Sequence, residues 1–342
     1  MSTRTEGRHI VGRFALNPDD DSSLEYEHSI VELWSRLPSG LNSRKYIHDS
    51  CEVVVTIDWS PVQQLLAEQL RTSTSVRNHE LSGNCWGSYS KELHLPAQIE
   101  ISGKNKLSRY HWYPNFFMES HLYDLFIILN LALPGAADFL NVSVEPVGAG
   151  QRDRLELSAY YFQIAFRNSA QWPILRSIDP QTVLSWYSQV RNGFGQVPDT
   201  PVERAMFALL HVCRSSGRPE DLVWLFYAFE SLFRTRIGEN YSSLLERVRL
   251  LLEPDSEQEK QLRKNLRAMY DFRSSFVHGG LQVIHPMHNE TMDPRVEDRY
   301  GTTVELSQYG TRLLLACLQR YINENWREVK YKTAIEPGND DV

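Results

Sequence analysis

The sequence SEQEKQLRKNLRAMYDFRSSFVHGG occupies residues 256–280 and decides how the C-terminal half folds. Its apolar residues recur at the three- and four-residue spacing of an amphipathic helix, which we predict from Ser256 to His278, directly before two glycines. The apolar arc contains Leu262, Leu266, Met269, Tyr270, Phe272, Phe276 and Val277. The opposite stripe contains Lys264, Arg267, Asp271, Ser274, Ser275 and His278.

Arg273 is the exception in this pattern, because it lies in the middle of the apolar arc. An unpaired charge buried there would cost several kcal/mol. The best partner is Glu230, which interrupts the apolar run of residues 222–233 and lies at the edge of that helix's apolar arc. We therefore predict an ion pair between Arg273 and Glu230 that holds the two helices in register.

Arg273 and His278 are residue types that together can cut RNA without a metal. In-line attack by a ribose 2′-hydroxyl needs a group that moves a proton near neutral pH, and a fixed cation beside the phosphate. Five residues of helix correspond to about 140° of rotation, so the two residues do not share a face. They converge only if the arginine swings round, if the last turn loosens, or if a second subunit supplies half of the site.

These residues resemble the motif of the HEPN superfamily, in which an arginine is followed after a short spacer by a histidine. The resemblance is closer to the ApeA-like HEPN branch, and it covers roughly residues 200–328. Two stretches carry it: Phe229-Glu230-Ser231-Leu232-Phe233 and Tyr270-Asp271-Phe272-Arg273-Ser274-Ser275-Phe276-Val277-His278-Gly279.

The resemblance implies a helical bundle that forms a homodimer with two motifs facing each other. It also implies metal-independent cleavage of an RNA substrate, in antiphage defence through abortive infection or as a toxin-like effector. Arg273 and His278 would be catalytic, with Ser274, Asp271 and Glu230 in supporting roles. Many nucleolytic members have Asn, Asp or His where this chain has Ser274, and some relatives are inactive. An inactive scaffold subunit of a larger defence complex is therefore the alternative.

Composition limits how RNA could bind. The chain has 342 residues, of which 42% are hydrophobic and 11% aromatic, which is typical of packed cores. A net charge of -7 argues against broad electrostatic attraction to nucleic acid, so any RNA contact must be local. Four basic residues before the motif could supply it, although such a run is more often a solvated helix face. They are Lys260, Arg263, Lys264 and Arg267.

No metal or cofactor is expected. The cysteines are far apart and are interpreted as reduced thiols: Cys51, Cys85, Cys213 and Cys317. His285, His288 and Asp293 are ligand types for a metal, but their segment is loop-like and has no second shell of supporting residues. We interpret it as a surface loop, with a substrate-gating loop beside His278 as the alternative.

Three polar residues outside the motif are interpreted as structural. His121 and Asp124 have helical spacing, and His211 lies further along the chain, without a nucleophile elbow or a third orienting group. The apolar run from Leu122 to Leu133 is interrupted by polar residues and is shorter than the ~20 residues of a membrane helix. We expect a cytoplasmic protein without a membrane partner.

The chain is predicted to be α+β, with an N-terminal mixed domain over residues 1–191, a helical bundle over 200–329 and an acidic tail over 330–342. The N-terminal domain is expected to sense a protein partner or a phage trigger. Predicted strands are Cys51–Trp59, Gln98–Ser102 and Leu155–Phe166. Predicted helices are Glu27–Leu37, Pro61–Leu70, Glu119–Leu133, Pro180–Val190 with Asp179 as cap, Val202–Ser215, Pro219–Arg236, Tyr241–Leu252, Ser256–His278 and Thr303–Trp326. A linker is predicted at Asn192–Pro201 and a long loop at Leu281–Gly301.

Overall fold

A computed structural model describes residues 3–16, 23–48, 51–77, 91–103, 113–146, 154–167, 171–191, 193–214, 217–235, 241–289 and 291–331. These ranges form a five-stranded antiparallel sheet and eleven helices, which confirms the α+β class. The C-terminal part is helical, as expected. The predicted acidic tail lies outside the described residues except for its first two positions.

The strands are β1 (Thr3–Phe14), β2 (Ser43–His48), β3 (Cys51–Ile57), β4 (Lys91–Gly103) and β5 (Ser143–Pro146). Their order in the sheet is β2-β3-β4-β1-β5, and each neighbouring pair is antiparallel. β3 shows why these residues form a sheet, because Val53, Val55 and Ile57 alternate toward the core.

The helices are α1 (Leu24–Ser35), α2 (Ser39–Asn42), α3 (Ser60–Arg77), α4 (Tyr113–Ala132), α5 (Tyr160–Arg167), α6 (Pro180–Val190), α7 (Pro201–Arg214), α8 (Glu220–Leu232), α9 (Tyr241–Leu252), α10 (Ser256–Val277) and α11 (Arg295–Asn323). α4 is apolar over most of its surface and is buried in the protein interior, as such a helix must be. Within the described part of the chain, no helix combines the length and apolar character needed to cross a membrane.

Packing is continuous between the sheet and the C-terminal helices. A single cluster of buried apolar residues extends from β1 to α11. Hydrogen bonds also join α5 and α4 to the C-terminal helices: the Tyr161 hydroxyl donates to Asp221 (2.9 Å), and the Gln319 side-chain amide donates to the Leu131 carbonyl (3.2 Å). The segment 193–200 contains no helix or strand, in agreement with the predicted linker, yet it does not separate the hydrophobic core into two.

Two element predictions are wrong. The region from Leu155 to Phe166 is not a strand, because α5 occupies Tyr160–Arg167 and buries Tyr161, Phe162 and Ala165 on one helical face. The predicted loop Leu281–Gly301 is shorter than expected, because α11 begins at Arg295. The first turns of α11 are largely exposed and polar, so they lack the apolar periodicity that would have predicted them.

Other predictions differ mainly in extent. α6 and α9 have the predicted bounds, and the Asp179 carboxylate caps α6 by accepting from the Thr182 amide at 3.0 Å. β4 extends the predicted strand toward the N-terminus. β1, β2 and β5 were not predicted.

Candidate functional site

The motif lies at the end of a helix that is fixed at both ends. At the start of α10, the Asp255 carboxylate accepts from the Gln258 amide (2.9 Å), while the Gln258 side chain accepts from the Asp255 amide (3.0 Å). This reciprocal capping box satisfies N–H groups that have no partner within the helix. Leu262, Leu266 and Met269 are fully buried and hold the middle of α10 against the core.

The last turn of α10 is regular. The His278 amide donates to the Ser274 carbonyl (3.0 Å), as in the body of an α-helix. Gly279 then has a φ of 73°, in the left-handed region, and the Gly280 amide donates to the Ser275 carbonyl (2.7 Å). This is the hydrogen bond of a Schellman turn, for which glycine is the favoured residue. The turn leaves the His278 side chain exposed.

Regular helix geometry keeps Arg273 and His278 about 140° apart around the axis. The arrangement in which the last turn loosens is therefore not the one adopted. Within one chain the two predicted catalytic residues are held on one helix but are not brought onto one face.

Arg273 does not form the predicted ion pair with Glu230. Its guanidinium carbon lies 5.9 Å from the centroid of the Phe226 ring on α8, within reach of a cation–π contact. The Arg273 Nε atom is buried without a hydrogen-bond partner, and no ion pair of Arg273 or Glu230 occurs in the described ranges. The prediction failed because Arg273 is half-buried rather than enclosed, and the face of the Phe226 ring lies beside its guanidinium instead of a carboxylate.

The predicted supporting residues have modest surroundings. Asp271 accepts a hydrogen bond from Arg267 Nε (3.0 Å), and more than half of each side chain is exposed. Such an exposed pair contributes at most about 1 kcal/mol. Ser274 is half-buried, next to Arg273 in sequence, and its main contribution is the carbonyl that accepts from His278.

Three of the four basic residues predicted to contact RNA have acidic neighbours. Lys260 lies 3.2 Å from Glu257, and Arg263 lies 3.2 Å from Glu259. Arg267 is the partner of Asp271. Lys264 is exposed, and among the described residues it has no ion pair. The stripe along α10 is therefore of mixed charge rather than positive.

The segment after the motif contains the three residues considered as metal ligands. Both carboxylate oxygens of Asp293 accept from Arg295, at 2.9 and 2.7 Å, which lowers the pKa of Asp293 to about 2. The His285 ring accepts from the amide of Met287 (3.0 Å). In the described part of the chain, no three His, Cys, Asp or Glu side chains are grouped in a way that could hold a metal. Four large apolar side chains near the motif are exposed: Val277, Val283, Met287 and Met292.

A second cluster of chemically capable residues lies in the protein interior. The Asp124 carboxylate on α4 accepts from Arg191 Nε (2.8 Å), from the Tyr187 hydroxyl (2.6 Å) and from Arg44 (3.4 Å). Arg191 also lies 3.7 Å from Glu203. Sequence reasoning missed this cluster, although a carboxylate within an apolar helix was a signal, because a buried charge requires a partner.

His121 belongs to the same cluster. Its Nδ1 atom lies 2.8 Å from the Tyr46 hydroxyl, and its side chain is fully buried. Burial lowers the pKa of His121 to about 4, with a further lowering from Arg44 and an opposing effect from Asp124. The imidazole is therefore neutral at physiological pH. Burial also raises the pKa of Tyr46 and Tyr187 well above the ordinary value.

Comparison with known proteins identifies no relative of this chain. No family model, no curated protein and no solved structure matches this chain. The HEPN resemblance stays a prediction that rests on the residues of the motif and on the helical surroundings in which they lie.

Proposed function

We propose that this protein is a metal-independent endoribonuclease of the HEPN type, in which two copies of the C-terminal bundle form one active site. The observation that carries the proposal is the environment of the motif. His278 is exposed on a rigid turn at the end of α10, and Arg273 on the same helix has no carboxylate partner in the described residues. Both side chains are therefore free to bind a phosphate.

The chemistry needs no group beyond these residues and RNA. The imidazole of His278 takes the proton of a ribose 2′-hydroxyl as that oxygen attacks the neighbouring phosphorus. The bond from phosphorus to the 5′-oxygen breaks, and the second copy's His278 donates a proton to that oxygen. The Arg273 guanidinium stabilises the additional negative charge on the phosphate oxygens. The products are a 2′,3′-cyclic phosphate and a 5′-hydroxyl.

A second copy of the chain would overcome the angular separation of Arg273 and His278 on α10. His278 and Arg273 point about 140° apart within one chain, so a second α10 would bring His278 of one copy toward the phosphate held by the other. The exposed apolar side chains Val277, Val283 and Met287 lie at or after the motif, where a dimer would cover them. In the proposed dimer, Lys264 is the basic residue best able to reach RNA, because it has no acidic partner among the described residues.

The biological role follows from the resemblance alone. We propose cytoplasmic action in antiphage defence or as a toxin-like effector, with cleavage controlled through the N-terminal α+β region. That region would bind a protein partner or a phage component. The continuous core between the sheet and the bundle supports such control, because a change at the sheet can reach α8 and α10 through packed side chains.

A non-catalytic scaffold is the second candidate, and specific observations favour it. Lys260, Arg263 and Arg267 are paired with carboxylates, so little uncompensated positive charge lies along α10. Ser274 occupies the position where many nucleolytic relatives have Asn, Asp or His. In this alternative Arg273 only packs on Phe226, and the exposed apolar residues bind another protein.

Cleavage of total cellular RNA in excess chelator tests the proposal. Wild-type protein, His278→Ala and His288→Ala are incubated with the RNA, and new ends are mapped. His288 is a matched control because it is also exposed but lies outside the motif. We expect wild type and His288→Ala to produce cyclic phosphate ends, and His278→Ala to lose cleavage by at least about a hundredfold.

Each result separates the two candidates. Full cleavage by His278→Ala would remove the proposed mechanism, and cleavage that requires added metal would contradict it as well. If none of the three proteins cleaves RNA, the result favours the scaffold. The next measurement would then be the mass of the complex that wild-type protein forms with a recovered partner.

A further inference from the structure

A cleft of about 290 Å³ opens between α4, α7 and the segment that follows α6. Its walls are mainly aromatic and aliphatic, which suits a flat organic ligand. The principal apolar residues are Phe116, Tyr123, Ile127, Met206, Phe207 and Leu210. The cleft is separate from the α10 motif, because neither Arg273 nor His278 lines it.

The inner end of the cleft is the buried pair of Asp124 and Arg191. The position of Arg191 is fixed, because its Nε donates to Asp124 (2.8 Å) and a second nitrogen donates to the Gly195 carbonyl (3.1 Å). The guanidinium carbon also lies 4.9 Å from the centroid of the Phe207 ring. Polar atoms held so firmly provide fixed hydrogen-bonding positions rather than a mobile charge.

Two more polar residues, His211 and Ser120, line the cleft. The His211 ring is stacked on Trp224, with centroids 4.0 Å apart and planes 9° apart, which orients the imidazole. Burial lowers the pKa of His211, and Arg214 lowers it further, so the ring is neutral at pH 7. Ser120 also lines the cleft, and its hydroxyl has no hydrogen bond among the described residues.

The charges along the cleft balance. Arg191 and Arg214 contribute two cations, whereas Asp124 and Glu119 contribute two carboxylates. Arg191 is further compensated by Glu203 at 3.7 Å. A ligand with a net charge would therefore find no complementary excess of the opposite sign.

We propose that this cleft binds an uncharged, planar heterocycle of nucleobase or nucleoside size. The ring lies between the aromatic walls, and its polar edge forms hydrogen bonds with Ser120, His211 and the fixed end formed by Asp124 and Arg191. The inference is independent of the proposed ribonuclease activity, because it involves different residues and requires no cleavage.

Calorimetric titration of the full chain with adenosine, guanosine, cytidine and uridine tests this inference, with adenosine monophosphate as the charged counterpart of adenosine. Leu210→Trp fills the cleft from a half-buried position on α7. Leu250→Trp is the matched control, because Leu250 is 57% exposed on α9 and lies outside the cleft. Gln196→Trp is a second blocking variant at an exposed position, in case Leu210→Trp does not fold.

We expect saturable binding of at least one nucleoside and weaker binding of the monophosphate. Leu210→Trp or Gln196→Trp should reduce the affinity at least tenfold, whereas Leu250→Trp should leave it unchanged. The inference is overturned if none of the four nucleosides binds, if the blocking variants bind as well as wild type, or if the monophosphate binds more tightly than adenosine.

Discussion

Arg191 and Arg273 are arginines of one protein with opposite surroundings. Arg191 is buried between Asp124 and Glu203, and it also donates to a backbone carbonyl. Arg273 is half-buried beside Phe226, with a buried Nε that has no hydrogen-bond partner. The buried arginine thus has its charge compensated by two carboxylates, whereas the half-buried one lies against an aromatic face. In the proposed ribonuclease, Arg273 would use its unpaired donors to bind a phosphate.

The two arginines also differ in how their helices hold them. Arg191 is the C-cap residue of α6, and tertiary contacts from α4 and α7 fix its side chain. Arg273 lies in the last turns of α10, where the backbone is fixed but the end of the side chain contacts mainly one ring. Side-chain hydrogen bonds therefore fix the position of Arg191, whereas Arg273 is positioned chiefly by its helix.

The largest expected effect comes from removing the carboxylate that holds Arg191. Asp124→Ala should lower the free energy of unfolding by about 3–5 kcal/mol, because Arg191 then loses its closest partner in a buried site. Urea denaturation monitored by circular dichroism measures the change. Asp271→Ala removes a carboxylate from an exposed pair and should cost at most about 1 kcal/mol. Equal losses of unfolding free energy in the two variants would contradict the stated difference between the buried and the exposed carboxylate.

Acid should weaken the buried cluster through His121. Its folded pKa of about 4 lies below its ordinary value, so the unfolded state binds more protons between these pH values. The contribution to stability is complete above pH ~6.5 and declines as the pH falls toward 4, by a total on the order of 3 kcal/mol. Unfolding free energies measured across this range should depend less on pH in His121→Asn. His288→Asn alters an exposed histidine and is the control, for which the unfolding free energy should depend on pH as in wild type. If His121→Asn also kept the wild-type pH dependence, the effect could not be attributed to His121.

A smaller effect is expected where α10 meets α11. A Cβ atom added at Gly310 would lie 2.5 Å from the Met269 side chain and 2.8 Å from that of Leu225, so Gly310→Ala should cost about 1–3 kcal/mol. Gly301→Ala is the control, since Gly301 is on the same helix and a Cβ there meets nothing within 4 Å. The free energy of unfolding of Gly301→Ala should equal that of wild type or exceed it by up to about 1 kcal/mol. Thermal unfolding distinguishes the two variants. A Gly310→Ala variant as stable as wild type would mean that the helices can move apart easily.

The smallest effect is expected at Arg273, which has no carboxylate partner among the described residues. Arg273→Met and Glu230→Gln should each change the free energy of unfolding by less than about 1 kcal/mol, because the two side chains are not paired. A double-mutant cycle should give a coupling energy within about 0.5 kcal/mol of zero. A coupling energy above that limit would restore the predicted ion pair and would assign Arg273 a structural role.

Local signals in the sequence predicted much of the helical structure. Apolar periodicity found α9 and α10 almost to the residue, and Asp179 with Pro180 found the start of α6. The same signals failed at α5, where a short apolar alternation resembled a strand, and at the exposed start of α11. Periodicity predicts an element only where one of its faces is buried.

Local sequence patterns were sufficient to predict the α+β class, the capped and amphipathic helices, and the position of His278 directly before a glycine that ends α10. These features depend on backbone hydrogen bonds and side-chain spacing within a few residues, so they can be predicted locally. Which charged side chains meet depends on how distant helices pack together. Asp124 and Arg191 are 67 residues apart in the chain, and their pairing required α4 and α6 to pack together. The packing of α10 against α8 likewise placed Phe226, rather than Glu230, against Arg273.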